Sequence, residues 1–283
     1  MAKLTNVLPS PIEQGVKTMV GKVVLIAGCS SGVGRELCRT LTEKGDRVVA
    51  TARSLERLEG VSAALKVALD VTDQDSIKQA LAAVMNAYGR IDVLVNNAGY
   101  SVRSAVEEID LEELAHLFDV NVYGIVRMIQ AVAPIMRQQG AGKIINIGSV
   151  SGRLTGLVNG GYCASKHAVE AISDAARLEL QGFGIQVAVL EPGAMDTDFF
   201  RTLSQNSDER MKNSQSPYHP FYQRDLAFRK KQKRADLSKA TGEIDAILAR
   251  KRLKGRYPVA LPFVFSLLLA LPERLREWLM LRV

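Results

Sequence analysis

Six short apolar runs recur through the first two-thirds of the chain, at residues 22–27, 47–51, 65–69, 92–96, 143–147 and 185–190. They are rich in Val, Ile and Leu with little polar alternation, the pattern of strands buried on both faces. Between them the apolar spacing becomes helical. One helix is predicted over 35–43 and ended by Gly45, another over 73–88 with Asp73 near its N-terminus, and a long one over 111–138 interrupted near Pro134. A further helix carries Tyr162 and runs to about residue 181.

Strands alternating with helices at this spacing join through right-handed crossovers, which call for a parallel sheet covered on both faces. The predicted fold is α/β: a Rossmann-type, doubly wound, mainly parallel sheet whose seventh strand lies at 256–259. Residues 1–20 lack periodicity and contain Pro9 and Pro11, so they read as an N-terminal extension. Residues 21–200 form the core, and 201–283 an extension of the same domain that shapes the substrate site. Beyond Pro192 the pattern loosens. Residues 199–235 are polar, basic and dotted with aromatics, and 244–249 look helical. The chain closes with an apolar run at 261–271 and an amphipathic end through Trp278.

Composition alters this picture little: 47% apolar and 24% charged residues in a chain of 283 suit a globular protein with a sizeable core. Cys29, Cys38 and Cys163 have no metal-ligand spacing and an odd count, so they read as reduced thiols in a cytoplasmic protein. No export signal is evident, and the prolines at 258, 262 and 272 make the apolar end a poor membrane span. Charge is uneven. From Arg201 onward there are 18 Lys and Arg against 8 Asp and Glu, so a net charge of +7 leaves residues 1–200 at −3. The basic run 229–234 raises nucleic-acid binding as a reading, but no recognition motif accompanies it, and a solvated charged segment is expected.

The candidate chemistry sits where predicted strands end, the position of ligand sites in open parallel sheets. Gly28, Cys29, Ser30, Ser31, Gly32, Val33 and Gly34 join the first strand to its helix, where free backbone N–H groups and the helix dipole can hold a diphosphate. The spacing is G-x-x-x-G-x-G rather than the common dinucleotide fingerprint. At the end of the second strand an acid would accept from the ribose 2′-OH of NAD; the chain instead offers Arg53, suited to the 2′-phosphate of NADP. Tyr162 and Lys166 stand four apart on one helical face, where an ammonium is expected to lower the phenol pKa toward working pH and suit it to proton transfer.

With Asn96-Asn97-Ala98-Gly99, Ser149 and Pro192-Gly193, this set resembles the short-chain dehydrogenase/reductase family over about residues 20–200, and most closely its hydroxysteroid and retinol dehydrogenase branch. The resemblance implies that Tyr162 is the general acid/base, that Lys166 tunes it and bonds the nicotinamide ribose, and that Ser149 holds the substrate oxygen, with Ser151 a close competitor. Asn121 would complete a catalytic tetrad through a water-linked relay to the Lys; the alternative is a polar residue that breaks a helix locally. Asp70 and Val71 would flank the adenine, Asn97, Ala98 and Gly99 would pack on the cofactor, and Pro192, Gly193 and Thr197 would close over the nicotinamide. Ala27 and Gly148 depart from the family's usual Thr and Ser.

An NADP(H)-dependent oxidoreductase is therefore expected, acting on a hydrophobic alcohol or carbonyl compound of steroid, retinoid or long-chain type. A catalytically silent NADP-binding regulator or scaffold is the reading from a different class; loss of Tyr162 or Lys166 would have favoured it, and both are present. The family's partners imply a homodimer or homotetramer. The apolar end can cover the pocket, pack in an oligomer interface, or rest peripherally on a membrane beside Arg250, Lys251 and Arg252.

Overall fold

The computed structural model describes residues 21–280; the N-terminal extension expected at 1–20 and the last three residues lie outside the described residues. Seven strands form one parallel sheet in the order β3-β2-β1-β4-β5-β6-β7. They are β1 Val23–Ala27, β2 Arg47–Ala52, β3 Leu65–Ala68, β4 Val93–Asn96, β5 Gly142–Ile147, β6 Ile185–Pro192 and β7 Arg256–Val259. The helices are α1 Gly32–Glu43, α2 Gln74–Tyr88, α3 Leu111–Phe118, α4 Gly124–Gln139, α5 Gly160–Leu180, α6 Phe199–Lys212, α7 His219–Lys231, α8 Leu237–Leu248, α9 Phe263–Ala270 and α10 Glu273–Met280.

The inner strands serve two cores at once because successive side chains point to opposite faces, whereas the edge strands β3 and β7 each contribute to one. Val24 and Ile26 pack with Leu37 and Leu41 of α1 and with Ile244 and Leu248 of α8. Val23 and Leu25 pack on the other face with Ile77 and Val84 of α2 and with Met128 and Val132 of α4. Both sets are nearly inaccessible to water. This double burial explains the unbroken apolar runs, and each such side chain contributes roughly 1.5–3 kcal/mol. Pro258 is tolerated because β7 is an edge strand that pairs only with β6.

Three expectations need correction. The long helix over 111–138 breaks not at Pro134, which lies inside α4, but at Asp119–Tyr123, a five-residue π-helical turn between α3 and α4. Such turns widen a helix locally and recur at functional sites; this one carries Asn121. Residues 199–235, where the loosened pattern predicted no helix, contain α6 and α7. The polar residues of α7 are spread around its circumference, so no apolar stripe announces it. One side chain anchors it instead: Tyr222 is fully buried, its hydroxyl donating to Glu108 Oε2 at 2.7 Å and accepting from the Ala105 N–H at 2.9 Å. Finally, α8 starts seven residues before the segment expected at 244, because Asp236 caps it through the Lys239 N–H at 2.8 Å.

Candidate active site

The carboxyl ends of the strands open into one cavity of about 960 Å³. Its nucleotide end begins at Gly28, where φ is +83° and an added Cβ would lie 2.8 Å from the Ala98 backbone. Gly34 is as constrained: a Cβ there would meet Gly28 O at 2.3 Å and Asn97 Nδ2 at 2.6 Å. Asn97 donates to Gly28 O at 2.6 Å and so locks the loop to the end of β4. On the β2 side, the Cys29 N–H donates to Thr51 O at 2.7 Å and the Thr51 hydroxyl to Ile26 O at 3.0 Å. The N-cap of α1, Ser31, makes no side-chain capping bond and the first turn holds no acid, so its N–H groups and dipole are left for an anion.

Ser30, Ser31, Gly32, Val33, Arg53, Asp70, Val71, Asn97, Ala98 and Gly99 all line this end. Asp70 Oδ1 is occupied by the Thr72 N–H at 2.9 Å and the Thr72 hydroxyl at 2.7 Å, which orients the carboxylate. Arg57 also lines the cavity beside Arg53, a second cation the sequence reading missed because it belongs to a 3-10 turn beyond the strand end. Free N–H groups, room left by glycine and clustered cations are the donor set a dinucleotide requires.

Tyr162, Ser149 and Lys166 meet at the middle of the cavity, beside Pro192, Gly193 and Thr197. Gly160 and Gly161 form the first turn of α5. Lys166 Nζ donates to Ile147 O at 2.8 Å and lies 5.8 Å from the centre of the Tyr162 ring. Ser149 Oγ accepts from the Ser151 N–H at 3.1 Å, and both serines line the cavity with Tyr162, while the Cys163 thiol donates to Leu154 O at 3.6 Å. Gly34 and Asn121 stand behind the wall rather than in it. Asn121 Oδ1 accepts from the Tyr100 N–H at 3.0 Å, while its Nδ2 donates to Tyr100 O at 2.9 Å and to Ser165 Oγ at 3.2 Å. Its side chain thus braces the turn after Gly99 and the α5 helix that carries Lys166.

A family model described as short chain dehydrogenase matches residues 22–208. The chain belongs to the short-chain dehydrogenase family. It is 36% identical over 235 residues to the 3-ketodihydrosphingosine reductase of Bacteroides thetaiotaomicron, an alignment covering 82% of this chain and 86% of that one. A short-chain dehydrogenase from Streptomyces avermitilis superposes with a TM-score of 0.76 at 32% identity, covering 94% of this chain and 98% of that one. Actinorhodin polyketide ketoreductase, solved with NADPH, gives a TM-score of 0.72 at 28% identity, covering 83% and 94%. The protein is an oxidoreductase of this family, and several of its solved relatives hold a nicotinamide cofactor.

The electrostatics of this short-chain dehydrogenase site correct one expectation. Burial pushes the Tyr162 phenol up to about 12; hydrogen bonding to Ser149 and the charge of Arg103 act in the lowering direction but are outweighed. Burial likewise brings Lys166 down to about 8, opposed by Glu170. The lowering of Tyr162 expected from Lys166 is not found: desolvation dominates at both groups and favours their neutral forms.

Arg103 was not singled out from sequence, since it lies in a stretch without periodicity. It is buried, donates from Nη1 to Ser101 Oγ at 2.9 Å and to Asn159 Oδ1, and pairs with Asp225 of α7 at 3.4 Å. Asn159 is the N-cap of α5, but its side chain caps nothing and is committed to Arg103 instead. The basic run at 229–234 is not one surface: Arg229 is buried and bound to Asp225 at 2.7 Å, and Arg234 pairs with Asp196 at 3.3 Å.

Proposed function

We propose that this short-chain dehydrogenase interconverts a hydroxyl and a carbonyl on a hydrophobic substrate with NADP(H), using Tyr162 as general acid/base. The observation that carries the reading is the convergence of Tyr162, Ser149 and Lys166 on the cavity whose other end is the glycine cradle. Arg53 and Arg57, with the Ser30 and Ser31 hydroxyls, favour the 2′-phosphate of NADP; no acid stands at the end of β2 to take a 2′-OH. Asp70 and Val71 would flank the adenine, and Thr197 would bond the carboxamide.

When bound, NADPH supplies the hydride that goes to the carbonyl carbon. Ser149 holds the carbonyl oxygen and stabilises charge developing there. Tyr162 passes its phenolic proton to that oxygen and becomes a phenolate. It starts in the form that carbonyl reduction consumes, being held protonated up to about 12. Lys166 stabilises the phenolate and offers the protons that restore it, and Asn121 positions the helix that carries Lys166. Alcohol oxidation reverses each step.

Val102, Leu154, Phe199, Phe228 and Leu268 supply apolar contact at the substrate end and support a steroid-like, retinoid-like or long-chain molecule. The relative that reduces 3-ketodihydrosphingosine by name is consistent with a long chain. A substrate panel followed by NADPH absorbance tests the reading, with Tyr162→Phe as control. Turnover of apolar carbonyl compounds that is lost in the variant is expected; activity confined to small sugars, full activity in the variant, or a clear preference for NAD overturns it.

Assembly as a homodimer or homotetramer through α4 and α5 is part of the proposal, and Leu178 of α5 is exposed as such an interface requires. No helix among the described residues is long and apolar enough to cross a membrane. The α9 helix instead supports a peripheral contact of a cytoplasmic protein: Phe263 and Leu267 are exposed while Phe265 and Leu268 line the cavity. Sedimentation with anionic vesicles checks this, and a truncation before Tyr257 that binds equally well refutes it.

A further inference from the structure

The far wall of the cavity holds a charge arrangement that hydride chemistry does not require. Arg103, Asp225 and Arg229 all line it, and both arginines are 8% exposed. One carboxylate sits between two guanidiniums, Asp225 Oδ1 being 3.4 Å from Arg103 Nε and Oδ2 2.7 Å from Arg229 Nε. The triad therefore carries one surplus positive charge out of bulk water. Burying an uncompensated charge is costly unless a partner arrives.

The neighbours do not supply that partner. Glu113, the other acid lining this end, is engaged by Arg210 at 3.1 Å. Ser101 and Asn159 accept from Arg103 Nη1 but are neutral, and Arg229 Nη2 reaches only the Met211 sulfur at 3.6 Å. Among the described residues, Arg103 Nη2 and Arg229 Nη1 have no hydrogen-bond partner. Desolvation lowers the Arg103 pKa more than Asp225 raises it, and Arg229 adds to the lowering, as expected of an under-compensated cation. The cavity lining next to the triad in the chain is mixed, with Val102 and Phe228 apolar and Arg224 and Gln232 polar.

We propose that the Arg103–Asp225–Arg229 triad is a subsite for an oxyanion carried by the substrate, a carboxylate or a phosphate. Asp225 holds both guanidiniums through their Nε atoms and leaves Arg103 Nη2 and Arg229 Nη1 uncommitted in residues that line the cavity, donors of the kind that suit such oxyanions. The substrate class narrows accordingly. It is an amphipathic molecule with an apolar body and one anionic group, which lies near the reacting carbon because Arg103 is bound to the residue that opens the helix bearing Tyr162. As a statement about substrate, this rests on the oxidoreductase reading above; as a statement about binding, it stands alone.

Calorimetric titration of the NADP-loaded protein with decanoate, decyl phosphate and 1-decanol tests the subsite directly. At least one oxyanion is expected to bind about tenfold or more tightly than the alcohol. The order of decanoate and decyl phosphate identifies which oxyanion the subsite takes. Arg103→Met should remove the preference, with NADP affinity and the thermal midpoint checked to exclude misfolding; Arg103→Lys, which keeps the charge and loses the fork, should retain part of it. Equal binding of all three ligands, or a preference that survives Arg103→Met, overturns the proposal. Turnover of 3-oxodecanoate and its methyl ester separates the two readings. A charge preference in binding with no turnover of any carbonyl compound sinks the oxidoreductase reading and leaves the subsite; equal turnover of acid and ester, with equal binding, sinks the subsite and leaves the chemistry.

Discussion

At the nucleotide end of the cavity glycines leave the backbone open to a ligand; at the substrate end side chains from distant segments meet. Gly28 and Gly34 leave space that a single Cβ would fill, and their contacts run to the adjacent strand β4, whose place beside β1 follows from the sheet. The substrate end is assembled from Arg103 after β4 and Asp225 on α7, 122 residues apart. A backbone cradle accepts what every member of a cofactor class shares, a diphosphate, whereas a side-chain wall can be recast without disturbing the sheet. The comparison implies that substitutions at one end change cofactor affinity and stability, while those at the other change which substrate is chosen.

The reacting centre, between the two ends, gives the largest expected effect: Tyr162→Phe should lower kcat by about a thousandfold, with NADP affinity retained, in stopped-flow or steady-state absorbance assays. Gly34→Ala comes next. Its Cβ would press on Gly28 O and Asn97 Nδ2, costing about 1–3 kcal/mol in chemical denaturation and weakening cofactor binding, while the ratio of decanoate to decanol affinity stays as in the parent protein. If that ratio collapses too, the two ends are not independent. Arg53→Leu should weaken NADP about tenfold by fluorescence titration and leave NAD nearly unchanged, since only the 2′-phosphate contact is lost. The smallest effect crosses the divide. The Arg103 charge favours the Tyr162 phenolate, so Arg103→Met raises that pKa. Alcohol oxidation needs the phenolate, and its rise with pH should move to higher pH by a fraction of a unit. An unmoved profile would confine Arg103 to the substrate end.

Much of the first region is legible in the sequence alone. The inner strands are buried on both faces, so Val23–Ala27 and the runs beside it are mostly apolar, and a run of that kind is visible locally. The glycines were equally readable, because the turn from β1 to α1 excludes side chains at fixed offsets. Helices α6 and α7 were not. Their polar faces are stabilised by Tyr222, by Asp225 and by the cavity they border, none of which imposes a 3.6-residue period. The break expected at Pro134 was misplaced because the helix absorbs a proline, while Asn121 bonds across to Tyr100 and Ser165.

By itself the sequence determined the parallel sheet, the glycine turn after the first strand and the placing of Tyr162 and Lys166 on one helical face, all consequences of short-range spacing. Only the tertiary structure decided that Tyr162 and Lys166 are shifted toward their neutral forms, because desolvation is set by everything packed around a group rather than by its neighbours in the chain. It alone brought Arg103 to Asp225 and Arg229, since a contact between residues more than a hundred positions apart leaves no periodic trace for a linear reading to find.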